Sequence, residues 1–380
     1  MILGSELHEG IAHATVAPWR IAMDINELCN IRCSYCHIDA LYGKEGKFSR
    51  TLPVDLAKAL LTDADGLRVF EVTITGGEPT LAPAFEAIVE HAGGLEFTST
   101  QVVTNGTRLT PAASRRLAKS GLTRVSISID GPKAGHDQAR GAGTWERAWR
   151  GLNNALDAGL TVNVISVIGT HNIDSWHHLT MKLKDAGVRS QNASLMCRLG
   201  RAESAESWQG VPEHRLAEVL LNADEVAAQS NDGSFLFHLN DGVLRSAGWT
   251  GRPTPLHAFQ DQNPGLELVA KVDGSLVRNR IFGGNQIIGN INESSLASVW
   301  DGELASRSSG NIGMDAWPPR DLPEQYYNYS PGVLRDLAPR ATALAPIGSR
   351  LRTRVEPWGS AVFDTETFSI VELKQVASIS

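Results

Sequence analysis

Three of the four cysteines in this 380-residue chain stand together as Cys29-x3-Cys33-x2-Cys36. Thiolates are soft ligands for zinc, copper and iron–sulfur clusters. A tetrahedral zinc site needs a fourth ligand, for which His37 and Cys197 are the candidates. A fully ligated [4Fe-4S] cluster needs four thiolates, so three would leave one iron open. An open metal position is what catalysis at a metal requires. The bland alternative is three small buried hydrophobes, the usual fate of free cysteine, and Cys197 on its own fits that description better than the cluster does. Four cysteines are too few for a disulfide scaffold.

The cluster follows a β-rich run, and the elements around it repeat that arrangement. Strands are expected at Arg20–Asn26, Val69–Thr75, Thr98–Thr104, Arg124–Ile129, Thr161–Ile168 and Ser190–Met196. Helical patterns fall between them at Pro53–Asp65, Pro83–Gly93, Pro111–Ser120, Trp145–Ala158 and Ser175–Ala186, several opened by Pro, Thr or Ser. Alternating strand and helix predicts an α/β fold with a parallel sheet, either a partial (βα)6 barrel or an open doubly wound sheet. In both, chemistry gathers at the carboxyl ends of the strands. The cysteines, Gly76-Gly77, Asn105-Gly106, Asp130-Gly131 and Cys197 all follow a strand and are expected on one face.

The segment CNIRCSYCH resembles the signature loop of the radical SAM superfamily. The resemblance implies that Cys29, Cys33 and Cys36 hold one [4Fe-4S] cluster whose fourth iron is chelated by S-adenosylmethionine, with Tyr35 near the adenine. TGGEP (Gly76, Gly77, Glu78) is similar to the family's glycine-rich motif, where a backbone without Cβ can approach the methionyl amino group. TNGTRLT, with Asn105, resembles the third strand end, and SISIDG, with Ser128 and Asp130, the fourth, where the serine contacts the ribose. GHDQARG places Arg140 where the family holds the cofactor carboxylate, a task suited to a guanidinium fork. SLMCRLGRA resembles the barrel-closing segment, with Met196 packing on the adenine. These resemblances imply a radical SAM partial barrel over residues 15–200 with a small α+β extension after it, preceded by an N-terminal segment at 1–14.

Beyond the barrel, residues 201–265 show one helix, Pro212–Gln229, followed by turn-rich sequence. Residues 266–310 contain a hairpin turning at Asp273-Gly274, then a helix. This stretch resembles a SPASM extension that has lost its auxiliary-cluster cysteines: Asn279 stands at the first expected cysteine, and none follows. Residues 311–380 comprise a Pro- and aromatic-rich segment, with Tyr326, Tyr327 and Tyr329 read as packing, and a terminal hairpin between Leu351 and Leu373. That hairpin either covers a sheet edge or, resembling the start of small peptide-binding chaperone domains, binds a peptide by strand addition.

Charge bounds the partners. Lys plus Arg number 35 against 42 Asp plus Glu, a net −7 that argues against a broad nucleic-acid footprint. The longest charge-free run, Ala158–Ile173, is polar and too short to span a membrane, and MILGSELHEG is no secretory signal, so a cytoplasmic location is expected. The resemblance implies hydrogen abstraction from a ribosomally made precursor peptide, ending in epimerisation or a crosslink, with an external electron donor such as flavodoxin or ferredoxin and a peptide-recognition chaperone as partners. Cys197 is then the candidate hydrogen-atom donor. Alternatives are a small metabolite substrate, such as a sugar or antibiotic intermediate, and a non-catalytic metal-binding protein. The pair His177-His178 reads as helix surface.

Overall fold

The computed structural model describes residues 17–204, 209–240, 267–278, 287–308, 351–356, 359–364 and 369–374. Six strands lie where the sequence places them: β1 (Arg20–Asp24), β2 (Glu71–Thr75), β3 (Ser99–Thr104), β4 (Arg124–Ser128), β5 (Thr161–Ile168) and β6 (Ser190–Leu195). They pair in parallel and in chain order. Helices α1 (Val54–Gly66), α2 (Phe85–Gly93) and α3 (Pro111–Lys119) cross over between the first four strands. Thr110 caps α3 by accepting from Ala113 N at 3.2 Å, with Pro111 at the first helical position.

Within the barrel, two elements were not read from the sequence. Residues of the GHDQARG motif lie on a short helix, α4 (Lys133–Arg140), which starts after Pro132 and stops at Gly141, where φ is +111°. It precedes α5 (Thr144–Asp157); α6 (His178–Asp185) and α7 (Glu213–Ser230) complete the crossovers. The turn-rich stretch after α7 supplies a seventh parallel strand, β7 (Leu236–Asn240), paired to β6. Its alternating apolar and polar residues, LFHLN, place Phe237 and Leu239 in the core.

The hairpin at Asp273-Gly274 is present as β8 (Glu267–Ala270) and β9 (Ser275–Arg278), with β10 (Ile287–Asn290) adding to β9. Strand β8 pairs in parallel with β1, so all these strands form one ten-stranded sheet, β10-β9-β8-β1-β2-β3-β4-β5-β6-β7. Helix α8 (Leu296–Ser308) follows and docks on α1, where Leu296 N donates to Asp63 Oδ2 at 3.1 Å. The terminal hairpin has one strand more than expected: β11 (Leu351–Glu356), β12 (Gly359–Asp364) and β13 (Ser369–Lys374) form an antiparallel sheet. Residues 1–14, Asn279 and the tyrosines at 326, 327 and 329 lie outside the described residues.

The two faces of the barrel sheet differ chemically, as period-2 alternation requires. Ile21, Met23, Val72, Ile74, Val102, Val125, Ile127, Val162 and Val164 face the helices and form the core. The opposite face is polar and bonds across the interior: Gln101 donates to Thr73, Ser126 donates to Gln101, and Arg20 and Arg124 both pair with the buried Glu71. Burial would raise the Glu71 carboxyl, but Arg124 and Arg20 override it and hold it below the usual carboxylate range. At the carboxyl end, Lys271 Nζ reaches Asp24 Oδ2 at 3.1 Å, tying the hairpin to β1.

Candidate active site

The loop after β1 closes on itself: Cys29 N donates to Leu41 O and Leu41 N to Glu27 O, both at 2.9 Å. Cys29 and Cys33 are buried and Cys36 half-buried, in a small cluster with Ile31, Ile38 and Ala40. Two of the sulfurs face N–H donors, with Ala40 N 3.4 Å from Cys36 Sγ and Asn105 Nδ2 3.9 Å from Cys29 Sγ. Burial pushes the Cys33 thiol up to about 12 and raises Cys29 as well. A thiolate at either position therefore calls for a cationic partner.

Gly76 and Gly77 receive this loop. Gly77 N donates to Asn26 O and Glu78 N to Leu28 O, both at 2.8 Å. A Cβ on Gly77 would fall 2.3 Å from Leu28 O, and one on Gly76, where φ is +140°, would fall 2.5 Å from Asn26 O. The family resemblance implies a ligand-facing role for these glycines; the close approach of the cysteine loop backbone requires them as well. Glu78, buried beneath, accepts from Thr80 Oγ1 and Thr104 Oγ1 at 2.6 Å and from Asn105 N at 2.8 Å. Burial still raises its carboxyl. The Asn105 side chain donates to Asn30 Oδ1 at 2.8 Å and accepts from Thr107 Oγ1 at 2.6 Å, which joins the end of β3 to the cysteine loop.

A second node forms around Asp130, after β4. Arg140 on α4 grips its carboxylate side-on, Nε to Oδ2 at 2.8 Å and Nη2 to Oδ1 at 2.9 Å. The Tyr35 hydroxyl donates to the same carboxylate, and Val167 N donates at 3.0 Å. Burial would raise Asp130; Arg140, aided by His136 and His171, holds it well below the usual carboxylate range. The Tyr35 ring stacks on His171 with centroids 5.8 Å apart, and Arg140 lies 5.3 Å from the ring centre. Ser34 N donates to Ala139 O at 2.8 Å, so the cysteine loop also touches α4. Met196 is buried with Tyr35, Ala139 and Ala202. Thus Arg140, expected to face a cofactor carboxylate, has its Nε/Nη2 edge on Asp130, with Nη1 outside that pair.

Ser128 is half-exposed at the interior end of β4. Cys197 follows β6; its thiol donates to Leu195 O at 3.5 Å and it packs on the main core, not in the cysteine cluster. His178 opens α6 and is exposed. The structure adds residues the motifs did not single out: Asn30, Thr104, His136, His171, Asn172 and Arg201. Asn172 Nδ2 donates to Asp130 O and Val167 O at 2.6 and 2.8 Å, locking the β4 and β5 ends together. For Asn172 and Arg201 the available signals were an Asn three residues after the glycine that follows β5 and an Arg in a Gly-Arg-Ala turn.

Residues 23–183 match the Radical SAM superfamily. This stretch is a radical SAM domain. Among curated proteins the chain is similar to the mycofactocin maturase MftC of Mycolicibacterium smegmatis, 34% identical over 164 residues, which are 42% of this chain and 40% of that protein. It is also similar to the AdoMet-dependent heme synthase of Nitratidesulfovibrio vulgaris, 30% identical over 187 residues, 48% and 49% of the two chains. The chain therefore spans less than half the length of these relatives. Solved structures with this fold include Streptococcus suis SuiB bound to its precursor peptide SuiA, with TM-score 0.61, 15% identity and coverage of 76% and 66%. Native anSMEcpe with bound AdoMet matches with TM-score 0.55, 17% identity and coverage of 75% and 81%.

The radical SAM family implies a [4Fe-4S] cluster and S-adenosylmethionine, and the residues here fit both. Three thiols share one loop, two of their sulfurs already face N–H donors, and Cys36 leaves the loop partly open. Beside the loop, His136 Nε2 and both ring nitrogens of His171 are buried without a hydrogen-bond partner. Such atoms are costly unless a polar ligand meets them.

Proposed function

We propose that this chain is a radical SAM enzyme whose preferred substrate is a ribosomally made precursor peptide. The observation that carries the first half is a three-thiol loop anchored to the ends of β2, β3 and β4 and to α4. Cys29, Cys33 and Cys36 would hold the cluster, which would supply the electron for reductive cleavage of S-adenosylmethionine and so for hydrogen-atom abstraction from the substrate. The chain's own residues bind and orient. Gly76, Gly77, Glu78 and Asn105 shape the floor of the pocket; Ser128, Asp130 and Arg140 present polar groups at the β4 end; Tyr35 and Met196 supply apolar packing for the adenine. Asp130 keeps Arg140 charged and fixed in angle, leaving Nη1 for a carboxylate. The test is anaerobic reconstitution: about four irons per chain and reductant-dependent 5′-deoxyadenosine, both lost in Cys33→Ala, are expected. Iron-free protein that makes none under these conditions refutes the reading and favours a non-catalytic binding protein.

For the peptide, support comes from the fold, which SuiB uses with a precursor peptide, from similarity to a maturase, and from the outer strands β11 and β13, which among the described residues each have one unpaired edge in their sheet. Similarity to a heme synthase supports the second reading, a small metabolite. A short precursor reading frame beside this one, whose product is altered by the enzyme, decides for the peptide; turnover of a metabolite alone decides against it. Product made in deuterated water distinguishes outcomes: a one-dalton gain that disappears in Cys197→Ala marks epimerisation with Cys197 as hydrogen donor, and a two-dalton loss marks a crosslink or desaturation. The segment from β8 to α8 is read as a SPASM-like extension without a cluster of its own. A flavodoxin or ferredoxin as electron donor, a peptide-recognition chaperone and a cytoplasmic location, where thiols stay reduced, complete the proposal.

A further inference from the structure

The turn after β6 reaches back across the barrel end to the cysteine loop. Gly200 has φ +56°, and a Cβ there would fall 2.5 Å from both Cys36 O and His37 O, so the loop backbone lies directly on it. The next residue, Arg201, makes four contacts with that loop. Its backbone N donates to Cys36 O at 2.9 Å. Its guanidinium donates to Cys33 O at 2.6 Å and Ala40 O at 2.7 Å, and pairs with the Asp39 carboxylate at 3.0 Å. Ala202, fully buried, then packs beside Tyr35 and Met196.

Inside the loop Cys36 O also accepts from Asp39 N at 3.1 Å and Cys33 O from Cys36 N at a long 3.5 Å. Arg201 therefore adds a second donor to each of these carbonyls and one to Ala40 O, which offsets the mutual repulsion of converging carbonyl dipoles. A planar guanidinium with five N–H groups meets several acceptors at once, which an ammonium cannot do in the same geometry. The side chain is largely shielded, 17% exposed, so its bonds are stronger than those of a surface ion pair. The partners lie at both ends and the middle of the segment from Cys33 to Ala40, so one residue sets the spacing of the last two cysteines.

We propose that Arg201 is a positioning residue that holds the cysteine loop in its ligand-ready shape before the cluster arrives and locks that loop to the end of β6. The identity of what the loop holds rests on the radical SAM reading above; the clamp itself is a property of the chain without iron. Through it, the ligand loop and the segment carrying Met196 and Cys197 move as one unit.

Amide hydrogen exchange of the iron-free protein tests this in wild type, Arg201→Gln and Arg201→Lys. In R201Q, amides of residues 34–41 are expected to exchange roughly tenfold faster or more, with R201K between the two and the amides of β2 and β3 unchanged. After reconstitution, chelator-driven iron loss from R201Q is expected to be faster by a similar factor, and the electron paramagnetic resonance signal of its reduced cluster shifted. Loop amides that exchange at the wild-type rate in R201Q overturn the proposal, as does a uniform increase over the whole chain, which would mark a general stability effect. Wild-type protein that takes up no iron sinks the radical SAM reading, and the exchange data on the iron-free chain still decide the clamp.

Discussion

Asp130→Asn is the most informative substitution outside the cysteines. The Asp130 and Arg140 side chains are 0% and 8% exposed and share two hydrogen bonds at 2.8 and 2.9 Å. Removing one partner of such a pair leaves a buried charge uncompensated, which costs about 3–5 kcal/mol. Asparagine keeps one acceptor oxygen for Tyr35 or Arg140, so the lower end, about 3 kcal/mol, is expected. At about 2–4 °C per kcal/mol for a folding unit of 150–250 residues, the melting temperature falls by roughly 6–12 °C. Calorimetry on iron-free protein measures it. The pair Arg140→Gln and the double variant complete a cycle in which the double change costs less than the two singles together by about 2 kcal/mol. The sign of the pH dependence follows from a folded pKa depressed below the unfolded value near about 4. The stabilisation is full above that value and is lost as the pH falls further, so wild type and Asp130→Asn converge only below about pH 4. A variant within about 1 kcal/mol of wild type at pH 7, or strictly additive single changes, would refute the argument that this pair is a coupled buried charge.

In the iron-free native chain at pH 8, Cys33 is expected to react with iodoacetamide roughly a thousandfold more slowly than in the unfolded chain, because a thiol moved from 9.0 to about 12 holds that much less thiolate; peptide mapping that shows equal rates refutes its burial. Gly77→Ala puts a methyl group 2.3 Å from Leu28 O and should destabilise by about 1–3 kcal/mol in urea unfolding while weakening iron uptake. Glu78→Gln sets an amide N–H₂ against the Asn105 N–H and should cost about 1–3 kcal/mol. In wild type the raised Glu78 carboxyl opposes folding increasingly as pH rises from its unfolded value through its folded one, so that part of the pH profile disappears in the variant.

The barrel was legible because each unit repeats a strong local signal. Strand β5 occupies Thr161–Ile168 as expected, and the other five expected strands differ from their sequence bounds by a residue or two at an end. Strand β7 was hidden because LFHLN is short, follows a turn-rich segment, and gains its status from pairing with β6 rather than from propensity. The parallel pairing of β8 with β1 was hidden for the same reason: nothing local in ELVA says that its partner lies almost 250 positions earlier. Motif spacing placed Cys29, Cys33, Cys36, Gly76, Asn105 and Asp130 on strand ends, but it could not show which side chains spend their hydrogen bonds on one another. The Asp130–Arg140 pair, the Glu78 bridge between β2 and β3, and Arg201 bridging to Cys33 from 168 residues away are products of tertiary approach.

Exposure within the barrel strands adds a constraint on what enters. On β3, β5, β6 and β7 the half-exposed positions include Gln101, Val103, Ile165, Val167, Asn192, Ser194 and Asn240, whereas their outward neighbours Val102, Val164, Ile168, Ala193 and Leu239 are buried. This is the reverse of an ordinary parallel sheet, which is apolar on both faces. Among the described residues this face is half-exposed and lined by amides and hydroxyls alongside Val103, Ile165 and Val167, with the Arg20–Glu71–Arg124 charges paired at the amino ends of the strands and Asp24–Lys271 at the carboxyl end. Asn163 Oδ1 and Asn240 Oδ1 are buried there without hydrogen-bond partners. Among the described residues, a wall that offers neutral donors and acceptors at spaced positions suits an uncharged polar chain such as a peptide backbone better than a strongly anionic substrate.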